Sequence, residues 1–185
     1  MRALALTLAA VAALSACGGS DGEPQTAPPV SSSPVSAASP TPAADDVPAE
    51  AKAATSAGAE AFARFFYAQT VRAFETKNPD LIKDISAPGC ESCERYVQSV
   101  AQLRDNNERI ENYVVTVTLA VAPAVTGEAV RVDLTYSLPE AVRYDASGKV
   151  LAREGPFKRV DVQMNLVRSG DTWLVEQAKA LRRLK

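Results

Sequence analysis

The chain has 185 residues, with 20 basic and 22 acidic side chains and a formal net charge of −2. Arg2 and Lys52 are the only basic residues before position 57, against Asp21, Glu23, Asp45, Asp46 and Glu50, so the remainder is near charge balance and lacks the basic face that nucleic acid requires. There is no histidine, which removes Ser-His-Asp and Cys-His nucleophilic sites and His-ligated zinc; phosphate-cradling glycine loops are missing too, and no cofactor motif is legible.

Arg2 gives a minimal positive region, and Ala3 to Leu14 a mostly apolar run ending in small residues, the pattern of a secretory signal over residues 1–16. The run is too short to span a bilayer, which takes about 20 apolar residues, and nothing later supplies them. Leu14, Ser15, Ala16 and Cys17 resemble the lipobox of bacterial lipoproteins, in which the cysteine is lipidated and becomes the mature N-terminus. The resemblance implies lipidation at Cys17, attachment to the plasma membrane, and a place on the extracytoplasmic face of the cell. Each buried methylene contributes about 0.8 kcal/mol, so two or three acyl chains anchor far better than one.

Residues 17–56 follow as a tether. Pro24, Pro28, Pro29, Pro34, Pro40, Pro42 and Pro48 interrupt any helix, and no aromatic residue occurs there. Such a segment buries too little apolar surface to offset its ordering entropy, so disorder is expected, with one folded domain over 57–185.

Ser56 can cap a helix that runs to about Lys77. Helical spacing puts Phe62, Phe65, Phe66, Gln69, Thr70 and Ala73 on one side, with Tyr67 and Phe74 on its flank. Among these, Phe62, Phe66, Gln69 and Thr70 are candidate lining for a pocket between helix and sheet; alternatively Thr70 bonds the carbonyl one turn back and Gln69 sits at an edge. Asn78 and Pro79 read as the cap and first turn of a short second helix, with Leu81, Ile82 and Ile85 facing inward. A third helix starts near Cys93 and reaches about Asn107, with Tyr96, Val97, Val100 and Leu103 inward.

With Cys17 lipidated, Cys90 and Cys93 are the remaining thiols, and in an oxidising compartment they are expected to form a disulfide. So small a ring gives at most about 2 kcal/mol of chain-entropy stabilisation, so its use would be to fix the turn entering the third helix. Two cysteines without histidine leave a zinc site half-built, and no metal is expected. The competing reading is a thiol-disulfide oxidoreductase with Cys90 as nucleophile. Against it stand the missing βαβ context and the negative charge of Glu91 and Glu94, which raises thiol pKa.

From Asn112 the period changes to two. Tyr113, Val115, Val117, Leu119 and Val121 predict the dry face of one long strand, and Val130, Val132, Leu134, Tyr136 and Leu138 that of the next. Val142 to Tyr144 and Val150 to Arg153 read as a hairpin, broken by Gly155 and Pro156. Val160, Val162, Met164 and Leu166 mark a further strand, and Trp173 and Val175 the last. Trp173 is expected as a core plug, with a binding platform as the other use; Tyr136 and Trp173 complete the candidate pocket lining. Lys179, Arg182, Arg183 and Lys185 read as a solvated basic end.

Helices followed by long antiparallel strands predict an α+β fold, with N-terminal helices packed on a curved, cone-like antiparallel sheet. This order resembles the nuclear-transport-factor-two-like fold, which hosts binding modules, dimerisation domains and some isomerases. More narrowly, the lipobox, the Ser/Pro tether, Gly58-Ala59-Glu60-Ala61-Phe62 and Ser86-Ala87-Pro88-Gly89-Cys90-Glu91-Ser92-Cys93 resemble a family of actinobacterial lipoproteins described only as a domain of unknown function. That family implies no catalytic residues. Isomerases of the wider fold pair a tyrosine with an acid; Tyr136 would be the hydroxyl donor here, and no carboxylate is legible beside it. The expectation is therefore a lipid-anchored accessory domain that binds either a cell-envelope protein or a small apolar ligand held in the cone.

Overall fold

The computed structural model describes residues 47–185, so Cys17, the signal over 1–16 and most of the tether expected over 17–56 lie outside the described residues. Among the described residues four helices come first: α1 (Ala49–Lys52), α2 (Ser56–Thr76), α3 (Asp80–Lys83) and α4 (Glu91–Asp105). Seven strands follow: β1 (Arg109–Glu111), β2 (Thr116–Val121), β3 (Ala129–Leu138), β4 (Ala141–Tyr144), β5 (Val150–Glu154), β6 (Phe157–Ser169) and β7 (Thr172–Leu184). The main antiparallel sheet has the order β2-β3-β6-β7, and a smaller one the order β1-β4-β5. The helices pack on one face of the main sheet, which is the α+β class that the sequence predicts.

Folded structure reaches back past residue 57 to Val47. Val47, just before α1, is 6% exposed and Ala51, within it, 1%, and that pair is enough to seat a single turn on the core. The carbonyls that follow are used as well. Arg168 Nη1 donates to the Lys52 carbonyl at 2.8 Å, and Trp173 Nε1 to that of Ala53 at 3.0 Å. Composition hides this, because a Pro/Ala stretch with one valine has no periodic signal long enough to read.

Thr55, rather than Ser56, caps α2: its Oγ1 accepts from the Gly58 amide at 3.1 Å, while Ser56 Oγ donates to the Pro123 carbonyl at 2.7 Å. At the far end Lys77 takes the left-handed conformation (φ 54°) and the Asn78 amide returns to the Ala73 carbonyl at 3.1 Å, a six-to-one closure. Asn78 Oδ1 then accepts from the Asp80 amide at 3.1 Å and opens α3, as its place before Pro79 predicts. Between these caps α2 buries Phe62, Phe66 and Ala73 without residual exposure. They lie over Val132 of β3, Val160, Met164 and Leu166 of β6, and Trp173 and Val175 of β7, all buried in the same core. Replacing either phenylalanine by alanine costs about 3–5 kcal/mol in such surroundings.

The long strand expected from Tyr113 is shortened at its start. Asn112 has φ 60°, and the chain before it, β1, pairs with β4 in the small sheet; β2 begins only at Thr116. Within β2 the register against β3 shifts between Val117 and Leu119. One extra residue exchanges the two faces, so Ala120 is buried while Leu119 and Val121, expected inside, are 49% and 50% exposed. In β3 and β6 the alternation is regular, and Val130, Val132, Leu134, Tyr136, Leu138, Val160, Val162, Met164 and Leu166 are all buried as predicted.

Candidate functional site

Most of the residues expected to line a pocket are packed solid instead. Phe62, Phe66, Thr70 and Trp173 have no exposed surface. Thr70 Oγ1 donates to the Phe66 carbonyl at 2.9 Å, the one-turn-back bond that accounts for a hydroxyl in a dry face. Gln69 is half-buried, and its Oε1 is sheltered without a hydrogen-bond partner. Trp173 is the core plug. Of the six, Tyr136 alone borders a cavity, and that cavity lies toward α4 and the outer half of β7 rather than under the centre of α2.

The cavity measures about 660 Å³, inside the range of roughly 300–1,000 Å³ usual for small-molecule sites. Its origin is in the pairing of β7 with β6. Val175 pairs with Leu166 but Gln177 with Asn165, leaving Glu176 as an extra residue; Ala180 pairs with Val162 but Arg182 with Asp161, leaving Leu181 as another. Each bulge reverses which side chains face the helices and bends the strand. Before the first bulge β7 presents Trp173 and Val175 inward; after it, Ala178 and Ala180 border the cavity, and after the second, Arg183 does. Two alanines where a regular core would hold large residues leave the space unfilled.

Opposite β7 stands α4, and its N-terminal turn is fastened to the sheet edge. The Ala87 amide donates to the Val175 carbonyl at 2.8 Å, the Val175 amide to the Ile85 carbonyl at 3.0 Å, and the Ala178 amide to Ser92 Oγ at 2.9 Å. These bonds occupy donors and acceptors on an edge strand that would otherwise be open. Cys90 and Cys93 form the expected disulfide inside this turn, and both are 1% exposed. Cys93 Sγ lies 3.8 Å from the Val175 carbonyl oxygen, so the bridge is covered by β7. A thiolate attacking from solvent has no direct approach, which disfavours the oxidoreductase reading.

Four of the chain's five tyrosines converge on the cavity: Tyr67 from α2, Tyr96 from α4, Tyr113 from the segment before β2 and Tyr136 from β3. Their rings are braced from behind. Tyr67 and Tyr136 have ring centroids 5.0 Å apart, Phe74 and Tyr113 4.4 Å, and Phe66 and Tyr96 6.4 Å. Burial pushes all four phenols above the ordinary value of 10.0. The phenols also oppose one another's ionisation, and the Glu154 carboxylate raises Tyr96, Tyr113 and Tyr136 further, while the Arg183 guanidinium partly offsets this for Tyr67, Tyr96 and Tyr136. At neutral pH the cluster is therefore a set of neutral hydroxyls, able both to donate and to accept.

Around these phenols stand charges of both signs. Arg95, Lys179 and Arg183 border the cavity, and so do Glu91, Glu154 and Glu176. Among the described residues none of the six belongs to an ion pair, whereas Arg104, Arg109, Arg131, Arg143, Arg153 and Arg159 are each matched to a carboxylate. Glu154 supplies a carboxylate near Tyr136 that the sequence reading did not find, because it arrives from β5 in the other sheet. The arrangement suits hydrogen bonding to a polar molecule. Among the described residues there is no group of three or more Cys, Asp or Glu that could hold a metal ion, and no helix long and apolar enough to cross a membrane.

Periodicity puts three of the four tyrosines on inward positions and Tyr67 on a flank. What periodicity lacks is their meeting, which depends on the bulges of β7 and on the break at Asn112.

A model of a family of unknown function, DUF6318, matches residues 35–179 of the chain. No curated protein matches it. Among solved structures, the intermembrane space region of the chloroplast protein ARC6 is similar at 12% identity over 66% of this chain and 95% of that one, with a TM-score of 0.45. A protein of the NTF2-like family from Streptomyces avermitilis shares 16% identity over 64% and 92%, with a TM-score of 0.40. A protein with a cystatin-like fold from Caulobacter vibrioides shares 10% identity over 64% and 87%, with a TM-score of 0.39.

Proposed function

The chain belongs to the family of unknown function DUF6318, and from that premise we propose that it is a binding module, exported and lipid-anchored through Cys17, that holds a small organic molecule between α4 and β7. The observation that carries the ligand is the open cavity of about 660 Å³ with four neutral phenols converging on it. A domain whose only task was to present a protein-binding surface would gain stability by filling that space.

The lining changes the expected chemistry of the ligand. An apolar molecule would leave the sheltered phenols without hydrogen bonds when it displaced water, at a cost of about 1–3 kcal/mol for each hydroxyl left unsatisfied, while the six charged side chains, all exposed, keep their water. A polar, hydroxyl-bearing molecule with an apolar face meets both the rings and their hydroxyls. The anchor rests on the lipobox-like Leu14–Cys17 and on the resemblance to actinobacterial lipoproteins, and it places the module at the outer face of the plasma membrane.

Two experiments test the two parts. A library of small hydroxylated compounds is screened by protein-observed NMR, with the shifts of Tyr96, Tyr113, Tyr136 and Arg183 expected to move together on binding; shifts confined to other surfaces would remove the cavity from the account. Mass spectrometry of the protein recovered from its membrane fraction is expected to show a diacylglyceryl group on Cys17, and an unmodified thiol there would remove the anchor.

A further inference from the structure

Space along α4 does not end at the tyrosines. Beyond them lies a second compartment of about 190 Å³, bordered by Phe74, Leu103, Ile110, Ala141 and Ala152. Tyr96, Ser99, Tyr113 and Glu154 border both compartments, so the two adjoin. Arg143 also borders the smaller one, but its guanidinium is paired with Glu108.

One face of α4 runs the length of both spaces. Its lining changes from Glu91, Ser92 and Arg95, through Tyr96 and Ser99, to Leu103. Ser92, Tyr96, Ser99 and Leu103 follow one another at spacings of three and four, which keeps them on one stripe of the helix. Between Ser92 and Leu103 the helix advances about 16 Å, at roughly 1.5 Å per residue. Polarity thus falls along a single continuous wall, from a charged opening to an aliphatic end.

We propose that the ligand is a single-chain amphiphile lying along α4, with an uncharged, hydroxyl-bearing head among the tyrosines and its alkyl tail in the compartment of Phe74, Leu103 and Ile110. This rests on reading the cavity as a ligand site. The absence of net charge on the head follows from the lining: three cations and three anions face the larger space, so a charged head gains from one set what it loses to the other. Hydroxyl groups follow from the phenols and Gln177, which offer donors and acceptors in mixed directions, and from Ser99, whose hydroxyl donates to the Arg95 carbonyl at 2.7 Å and is left to accept. The tail follows from the smaller compartment, where Phe74, Leu103, Ile110, Ala141 and Ala152 offer contact without hydrogen bonds.

The test uses the full chain carrying Cys17→Ser, which keeps lipid off the N-terminus, titrated calorimetrically with methyl, butyl, hexyl and octyl β-glucosides below their micelle concentrations. Affinity is expected to rise about fourfold for each methylene that enters the compartment, at ~0.8 kcal/mol each, and then to level off. Ala152→Phe, on an exposed position of β5, fills the compartment and is expected to abolish the gain with length; Ile110→Asn, which sets an amide there, is the second arm, and a thermal melt of each variant reports that it is folded. Equal affinity for methyl and octyl glucosides overturns the amphiphile and leaves the cavity reading standing. So does a length dependence that survives both substitutions in folded variants. Failure of every glucoside to bind, beside cavity shifts in the NMR screen, also overturns the amphiphile alone; failure of both experiments overturns both readings.

Discussion

The indole Nε1 of Trp173 donates to the carbonyl of Ala53 at 3.0 Å, across a separation of 120 residues. The bond ties the turn between α1 and α2 to the start of β7, beneath which the core is solid. A chain truncated to begin at residue 57 loses Val47 and Ala51 from the core and strips the indole of its acceptor. We expect a loss of about 2–4 kcal/mol in urea unfolding. Trp173 is the only tryptophan, so its emission reports the change directly, and unchanged emission together with an unchanged midpoint would show that α1 contributes nothing.

Gly58 sits in the first turn of α2, where alanine would normally gain about 1 kcal/mol in helix propensity. The reverse is expected here. A Cβ at this position would stand 2.1 Å from the Ala53 carbonyl oxygen and 2.8 Å from its carbon, so the turn held by Trp173 must shift to admit it. Gly58→Ala should therefore lower the melting temperature, by more than the propensity gain can offset. A higher melting temperature would mean that the turn yields freely and that the Ala53 bond is weak.

Alkaline pH probes the tyrosine cavity. A phenol whose pKa is raised on folding keeps its proton in the native state after the unfolded chain has lost it, so the unfolded state binds fewer protons and stability falls as pH rises. For Tyr67, Tyr96, Tyr113 and Tyr136 the contribution is complete below the ordinary value of 10.0 and is lost above it, toward the raised values of the folded state. The urea midpoint should hold up to about pH 9 and drop between pH 10 and 11, with tyrosinate absorbance appearing in step with unfolding. Replacing Tyr96 by phenylalanine should flatten that drop. Titration of all the phenols near pH 10 in a chain that stays folded would contradict the burial described for them.

Cys90 and Cys93 are covered by β7, and the ring they close is small. Attack by added glutathione on the folded protein should therefore be slow, while forced reduction lowers stability by no more than about 2 kcal/mol. Thiol trapping over time measures the first and urea unfolding the second. Rapid exchange with glutathione in the folded protein would restore the case for an oxidoreductase.

The layer structure and most of the core were readable because they follow from short periods. Phe62 and Phe66 at helical spacing, and Val130 to Leu138 and Val160 to Leu166 at a period of two, each report a buried face without reference to any other segment. Cys90 and Cys93 were readable from parity and spacing. The cavity was not, because it is made by interruptions of those periods. The extra residues Glu176 and Leu181 in β7 are defined by the partner strand, and no local pattern distinguishes a bulged strand from a strand that ends after Val175. Tyr136 lies on the inner face of β3, as its period predicts, but its neighbours Tyr96, Tyr113 and Glu154 come from α4, the segment before β2 and the second sheet, so their meeting is a property of topology. Phe62, Phe66 and Thr70 on one helix face, and Trp173 on β7, read as lining because an aromatic or hydroxyl group on an inward position looks the same in sequence whether the space before it is full or empty.

The same blindness to bulges yields a test in β2. Strict alternation puts Leu119 and Val121 inside, and on that reading replacing them should be as costly as replacing any core aliphatic. The register shift after Val117 instead sets Leu119 opposite Thr135, and Ala120 opposite Leu134. Leu134 is 2% exposed, whereas Leu119 is 49%. Leu119→Thr and Val121→Thr should therefore each change stability by no more than about 0.5 kcal/mol, the range of an ordinary surface substitution. Leu134→Ala, on the partner strand, should cost about 2–5 kcal/mol. Chemical unfolding of the three variants decides the matter, and a loss of several kcal/mol from Leu119→Thr would restore the unbroken strand and with it a different inner face for the sheet edge.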